Sequence, residues 1–587
     1  MTAWWRDTVV YEVYPRSFAD SDGDGVGDLR GLIGRLDHIA SLGVGAVWLC
    51  PVFPSPQYDH GYDVSDYFDV DRRFGSLQDL DDLVAAAHAR GIRVILDMVL
   101  NHTSHEHPWF LAGLRRDAPE RDWYIWRPPR PGHHGGEPGA EPTNWGAVFG
   151  GSAWTWHEAT GEYYLGTFSR WQPDLDWSNP RAREAIFGML RWWRDRGIDG
   201  FRLDVINHVD KPDPIADGPA VAGTALADGA ALCVNGPRLR EYLIELRDAV
   251  VGSRDDLLLL GETPGLSVEQ AAALAHPVTG PLDMVIQFEH AELDREPERW
   301  RSRPLRLPDF ASWTNRWQAG PGASPWTALF LSNHDQARIV SRYGDDGRWR
   351  ARSATCWATV LMCHRGTPFI YQGDEIGMRN FPFRDIAEFS DLAAHHEFAT
   401  ATAAGAAPDE VVAGLQRLGR DNARTPMQWD GSPAAGFTTG TPWLAINPDH
   451  AWLNVRRQED DPHSVLAHYR RLVGLRRALP ALVDGDVRVL WPEHERIHGL
   501  VRDDGSTEVL LVANLSGERA DLPDDEVLRD WHGAEVVLSN LSPGEPAGAV
   551  AHTSLAPWEA QIRRRPARAE PASAVPTDPL QPDPEGT

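Results

Sequence analysis

Lysine is almost missing from this chain. Of 57 basic residues only one, Lys211, is a lysine. The bias reads as that of a GC-rich genome rather than as a signal of function. Basic residues as a whole are outnumbered, 57 against 85 acidic ones, for a formal net charge of -28. That balance excludes the basic patches on which nucleic-acid affinity rests, so no nucleic-acid partner is expected. Cysteine is scarce too. Cys50, Cys233, Cys356 and Cys363 form no C-x-x-C pair, and their scatter suits reduced, buried thiols rather than a disulfide framework. No apolar run is long enough to span a bilayer, which excludes a membrane partner. The stretch Met1 to Asp7 runs straight into a strand-like segment, without the charged, apolar and cleavage regions of a signal peptide. The expectation is a cytoplasmic protein. Several catalytic motifs are also absent: there is no H-E-x-x-H zinc site, no phosphate-binding P-loop and no G-x-S-x-G elbow.

What is present is a long chain with a rhythm. Its 587 residues exceed a single core, so more than one domain is expected. Val9–Pro15, Gly45–Pro51 and Ile92–Asp97 read as buried strands, separated by amphipathic helices over 28–42 and Leu80–Arg90 that stop at Gly43 and Gly91. From about Asn101 to Trp171 the rhythm breaks into Gly-, Pro-, Trp- and His-rich sequence, read as an inserted subdomain over a functional face. Alternation resumes through Gly200–Asp204, Leu257–Glu262, Met284–Phe288, Ala328–Leu331 and Thr367–Tyr371. Eight parallel strands with helices between them imply a (β/α)8 TIM barrel over 1–100 and 172–483, an α/β fold with residues 101–171 inserted after strand three. Antiparallel patterning from Asp484 onward implies a C-terminal β-sandwich over 484–565. The Pro-, Ala- and Glu-rich residues 566–587 are expected to be disordered.

In such a barrel the chemistry sits at the C-terminal strand ends. Those ends carry Asp97, Arg202 with Asp204, Glu262, and Asn333-His334-Asp335, while Asp59 and Tyr62 follow strand two. Residues i and i+2 of a strand share a face, so Arg202 and Asp204 share an environment. A structural ion pair explains that pair by itself. It does not explain why acidic residues from several strands converge on one mouth. Paired carboxylates around one bond are the tools of glycoside hydrolysis, one attacking and one donating a proton. The donor needs an apolar or carboxylate-crowded setting, and Glu262 follows the apolar run Leu257–Leu260. Separately, Asp20, Asp22, Asp24 and Asp28 alternate with glycines in the spacing of a calcium loop, without the glutamate of an EF-hand.

The segments Asp97–His102, Gly200–Asp204, Gly261-Glu262 and Phe330–Asp335 resemble, in order and spacing, the signature regions of the α-amylase family, glycoside hydrolase family 13. Gln172–Asp176 and Arg420–Trp429 resemble those of its oligo-1,6-glucosidase subgroup, and the likeness runs from residue 1 to about 565. The resemblance implies Asp204 as nucleophile, Glu262 as acid/base and Asp335 as the carboxylate that holds the sugar's 2- and 3-hydroxyls. It implies Arg202 as the cation that keeps Asp204 ionised, and His102 and His334 as ligands of glucose hydroxyls. Asp59, Tyr62 and Arg420 would close the pocket at the non-reducing end, making the enzyme exo-acting. Phe168, Gln172, Arg424 and the rim residue Val205 would line the same site. Asp20, Asp22, Asp24, the Val26 carbonyl and Asp28 would bind structural Ca2+, with no organic cofactor. The implied partner is a small oligosaccharide, and the protein would be a monomer or small homo-oligomer. The expected activity is a retaining α-glucosidase favouring α-1,6 linkages. The alternatives are a glucosyl transferase or isomerase acting on sucrose or maltose, and a non-catalytic relative. Two positions depart from the subgroup: Asp176 replaces its usual Asn, and Glu292-Leu293-Asp294-Arg295-Glu296 lacks the leading arginine of the sucrose isomerases' Arg-Leu-Asp-Arg-Asp loop.

Overall fold

The computed structural model describes residues 3–221, 224–254, 256–319, 325–541 and 554–567. All but the first two residues of the 566–587 tail therefore lie outside the described residues. Eight parallel strands form one sheet: β1 Val10–Val13, β2 Ala46–Leu49, β3 Arg93–Val99, β4 Gly200–Asp204, β5 Leu258–Glu262, β6 Met284–Ile286, β7 Ala328–Leu329 and β8 Thr367–Tyr371. Their order is β6-β5-β4-β3-β2-β1-β8-β7. A bridge between Val285 and Thr327 joins the two edges and closes the barrel. Strand β3 runs two residues beyond the expected end at Asp97, because Met98 and Val99 continue the apolar run and Val99 pairs with Asp204.

Why these strands read as continuous apolar runs is visible in the packing. Val10, Ala46, Trp48, Ile95, Leu258 and Leu260 fill the barrel interior. Their neighbours Tyr11, Val47, Leu49, Leu96, Phe201 and Leu259 pack outward under the helices. Both faces are buried, as parallel sheets require. Side chains alternate with period two, so Glu12, Asp97, Arg202, Asp204 and Glu262 all share the parity of the interior face and sit at its C-terminal end.

The helices that cover the barrel begin with α1 Leu29–Ser41, α2 Leu77–His88, α3 Pro180–Asp195 and α4 Leu239–Val250, followed by α5 Val268–Leu274, α6 Leu307–Gln318 and α7 Arg350–Cys363. Their starts follow capping chemistry. Asp28 accepts from the Gly31 amide at α1, and Ser76 with Asp79 forms a reciprocal capping box at α2. Gly43 and Gly91 follow these helices at φ +83° and +71°, the left-handed stop that glycine adopts without strain.

Between β3 and α3 lies a three-stranded sheet of Trp126–Arg127, Glu162–Leu165 and Trp154–His157, held by the buried cluster of Ile125, Trp145, Trp154 and Tyr163. Two further helices, α8 Leu392–Ala403 and α9 Pro408–Leu418, stand between β8 and the last long helix, α10 Val465–Ala478. At the C-terminus, β9 Asp486–Leu490, β10 Ile497–Asp503, β11 Thr507–Asn514, β12 Glu535–Ser539 and β13 Ala560–Pro566 form an antiparallel five-stranded sheet, accompanied by the short pair Ala520–Asp521 and Ser554–Leu555. Among the described residues no helix is long and apolar enough to cross a membrane.

Candidate active site

At the C-terminal mouth of the barrel lies a cavity of about 440 Å³. Behind its wall lies Arg202, 1% exposed. One guanidinium nitrogen reaches Asp204 at 2.6 Å and Asp97 at 2.9 Å, and the other reaches Glu262 at 2.7 Å. The β3–β4 register puts Asp97 beside Arg202, so strand pairing alone sets the first contact. The indole of Trp48 and the hydroxyl of Tyr62 both donate to the other oxygen of Asp97. Three carboxyl groups therefore surround one buried cation. Burial and the charges on Glu262 and Asp97 push Asp204 well above the usual carboxyl range, against the pull of Arg202. The carboxylate crowding expected around Glu262 is present, with Asp97 and Asp204 held on the same guanidinium.

Val205 follows at φ 35° and ψ 41°, a left-handed conformation rare for a β-branched residue. Its amide donates to Glu262 at 2.9 Å. The turn thus ties the end of β4 to the end of β5.

Asp335 faces these groups. It accepts from Arg424 at 2.7 Å and from Arg420 at 3.3 Å. Burial pushes its carboxyl up, but His334, Arg420 and Arg424 outweigh that and hold it far below the ordinary range. His334 is clamped between Glu12 at 2.7 Å and the hydroxyl of Tyr62, also at 2.7 Å. Asp59 lies 3.4 Å from Arg420 and accepts from Gln172 at 3.0 Å. Burial raises Asp59 to about 6. His102 lies beside Phe168, and burial holds its imidazole down at about 4.

Of the residues singled out from the sequence, Asp59, Tyr62, His102, Phe168, Asp204, Val205, Glu262, Asp335 and Arg420 line the cavity. Arg202, Gln172, His334 and Arg424 stand behind that wall and reach it through hydrogen bonds to those residues. The sequence reading missed Asp391. It caps the start of α8 and bonds Arg420 through both oxygens, at 2.9 and 2.5 Å. Arg420 and its other neighbours bring Asp391 down to about 2 against the opposing effect of burial. Glu292, Arg295 and Arg299 also line the cavity, whereas Asp294 is sealed away by Arg342.

In the loop that follows β1, carboxylate oxygens of Asp20, Asp22 and Asp28 lie within 4.8 Å of one another. An all-oxygen set of this kind fits a hard cation. Asp24, one oxygen of which accepts from the Val26 amide, is not among these three. The amide of Asp24 lowers the Asp22 carboxyl, but burial and the charges on Asp24, Asp20 and Asp28 raise it overall.

Comparison with known proteins adds three findings. The family profile described as alpha amylase, catalytic domain, matches residues 12–485. An oligo-1,6-glucosidase of Parageobacillus thermoglucosidasius is 43% identical over 564 residues, covering 95% of this chain and 98% of its own length. Two solved structures superpose along nearly the whole chain. Bacillus licheniformis trehalose-6-phosphate hydrolase does so with a TM-score of 0.88 at 37% identity, covering 96% of this chain and 100% of that one. The isomaltulose synthase of Klebsiella sp. LX3 does so with a TM-score of 0.89 at 36% identity, covering 96% and 99%.

Proposed function

The chain belongs to the α-amylase family, and from that premise we propose that it is an exo-acting, retaining α-glucosidase that removes glucose from the non-reducing end of short α-glucosides, α-1,6-linked ones above all. One observation carries the reading: Asp204 and Glu262, from adjacent strands, share the Arg202 guanidinium at 2.6 and 2.7 Å on one cavity. Two carboxyl groups gathered on one guanidinium suit a pair of which one attacks and one protonates. Asp204 attacks the anomeric carbon, Glu262 protonates the leaving oxygen and then deprotonates the incoming water. Arg202, 2.6 Å from Asp204, stabilises the Asp204 anion. Asp335, kept ionised by Arg420 and Arg424, accepts from sugar hydroxyls. The ion-paired group of Asp59, Arg420 and Asp391 supports a pocket shut behind the terminal glucose. The identity to a named oligo-1,6-glucosidase supports the linkage.

A transferase or isomerase acting on sucrose or maltose would use the same glucosyl-enzyme intermediate, and the likeness to an isomaltulose synthase keeps that reading open. Against it, Asp294 is buried in an ion pair with Arg342, so the loop does not offer that acid to the cavity. The oxygens of Asp20, Asp22 and Asp28 would hold Ca2+ as a structural brace, with Asp24 and Val26 shaping the loop. We place the protein in the cytoplasm, as a monomer or small homo-oligomer; its four buried free thiols support a reducing compartment.

The test is a time course by NMR on isomaltose, maltose, sucrose and trehalose. The expected result is fastest turnover of isomaltose with α-glucose appearing first. β-Glucose as the first product would overturn the retaining pair, and isomerised sucrose would favour the second reading.

A further inference from the structure

Lys211, the chain's one lysine, is not on the surface where lysines usually sit. Its side chain is 6% exposed. Its ammonium meets three acceptors: Asp174 at 2.9 Å, the Asn101 side-chain oxygen at 2.6 Å and the His208 carbonyl at 2.7 Å. A buried ammonium with three donors is thereby satisfied. The consequence lies one bond further on. An ammonium only donates, so its contact with Asn101 decides which end of that amide is oxygen. The Asn101 NH2 then faces His102 Nδ1 at 3.1 Å, and an NH2 group requires a lone pair there. On the opposite edge of the ring, His102 Nε2 lies 3.1 Å from the Tyr62 carbonyl, which can only accept. The Gln172 NH2 also lies 3.2 Å from Nε2, but one of its hydrogens goes to Asp59 at 3.0 Å and the other has the Tyr62 carbonyl at 3.5 Å. Nδ1, by contrast, faces the Asn101 NH2 alone, so the ring proton belongs on Nε2, where an acceptor is present.

We propose that Lys211 is a positioning residue: by orienting the Asn101 amide it holds His102 in the neutral tautomer with its proton on Nε2, the edge beside Tyr62 at the sugar cavity. The proton assignment stands on the hydrogen-bond chain alone. Its effect on turnover rests on the glucosidase reading, in which His102 donates to a glucose hydroxyl. The ionisable groups around the ring are Asp174, Lys211 and His208, with Asp59 beyond Gln172 and Asp204 on the same cavity. Burial lowers the pKa of His102, Asp174 raises it and Lys211 lowers it further.

Three variants of the full chain test this. Asn101→Asp keeps the volume but replaces the NH2 at Nδ1 with an acceptor. Lys211→Met removes the charge and keeps the length, whereas Lys211→Arg keeps a pure donor. The first readout is the imidazole 15N spectrum with labelled histidine, the His102 signal being assigned by its loss in His102→Asn. In the wild type the proton should be on Nε2 alone. Asn101→Asp should add a proton at Nδ1, Lys211→Met should give mixed tautomers, and Lys211→Arg should retain the wild-type signal. The second readout is the pH profile. The acid limb of kcat/KM for isomaltose should move to higher pH in Asn101→Asp and Lys211→Met, with kcat/KM at neutral pH lower by roughly tenfold, the order expected when a buried donor is lost. A purely structural lysine would lower stability and leave both the tautomer and the limb unmoved. Proton on Nδ1 in the wild type, or an unchanged His102 signal in Asn101→Asp, overturns the proposal. If Lys211→Met does not fold, Asn101→Asp decides alone. If the wild type shows the Nε2 tautomer but hydrolyses no α-glucoside, the glucosidase reading fails and the tautomer lock stands.

Discussion

Val205 occupies a backbone position that its side chain disfavours. A β-branched residue in the left-handed region costs on the order of 1–3 kcal/mol and persists only where the surroundings impose it. Here the surroundings are the end of β4, the short helical turn Ile206–His208, and the Val205 amide that must reach Glu262 at 2.9 Å. The strain aims a donor at one carboxylate of the pair, while the side chain lines the cavity. These two jobs can be separated. Val205→Thr keeps the branching, the backbone and the amide, and exchanges one methyl for a hydroxyl. An α-1,6 linkage has an extra methylene and an extra rotatable bond, so its second ring leaves the pocket along a different path from that of an α-1,4 linkage. A stiff apolar group at the rim takes up room on the α-1,4 path and offers it no hydrogen bond. Val205→Thr is therefore expected to raise kcat/KM for maltose relative to isomaltose. The change should stay within the roughly 10–200-fold that a single apolar pocket contact commands, and the pH profile should not move. If the ratio measured on both disaccharides is the same in variant and wild type, Val205 is a packing residue whose contribution is its amide.

The loop after β1 shows how an element can be held from outside itself. Asp20 accepts from the amides of Gly23 and Gly25 and from the hydroxyl of Thr438, and its own amide donates to the Phe437 carbonyl. The loop is thus docked on the segment that follows Arg420 and Arg424, whose guanidinium groups serve the cavity. Asp22 is the exposed member, and its like-charged neighbours raise its pKa against the pull of the Asp24 amide. Asp22→Asn should therefore leave the metal-free protein as stable as the wild type or slightly more stable. In Ca2+ the order should reverse, because a ligand at 100 times its Kd adds about 2.7 kcal/mol to the protein that binds it. Thermal melts of both proteins with Ca2+ and with chelator read this directly; a wild type that melts alike in both conditions has no metal site here. At this scale the sequence was most readable. Strands buried on both faces announce themselves as apolar runs, and motif residues at their ends share the parity of the barrel interior. Other features were not readable, for physical reasons. The end of β3 depends on pairing with β4. Asp391 sits at a helix cap in a stretch without periodicity and meets Arg420 only through folding. Lys211 looked like compositional accident because its three partners lie in three separate segments.

Across the whole molecule, the C-terminal sheet is fastened to the barrel by buried polar groups, and they carry a pH liability. Arg502 on β10 donates to the Cys363, Leu482 and Gly485 carbonyls, and Arg476 on α10 donates to the Met362 carbonyl. Two cations therefore meet the carbonyl end of α7, where the helix dipole favours positive charge. In the same seam His498 stacks on His364 at 5.4 Å and meets the ring of Phe310 at 5.2 Å. Neither ring nitrogen of His498 has a hydrogen-bond partner among the described residues. Burial, with His364 alongside, holds its pKa well below the ordinary histidine range. The sign follows from linkage. Below an unfolded value of about 6.5 the unfolded chain takes up a proton that the folded chain refuses, so this stability is full above that pH and is lost as pH falls toward the folded value. Asp59 and Asp374, raised by burial to about 6 and about 7, act in the opposite direction over part of the same range. A total stability curve would mix the two effects; a difference between two proteins does not, because the carboxyl groups are common to both. His498→Phe replaces a ring with a ring that cannot titrate. Whatever its offset at pH 7.5, its stability relative to the wild type should rise as pH falls from about 6.5, by at most about 1.4 kcal/mol per pH unit. Urea unfolding of both proteins at pH 7.5, 6.5, 5.5 and 5.0 measures that difference. Parallel curves would mean that His498 titrates normally in the folded protein and that the seam admits water to it.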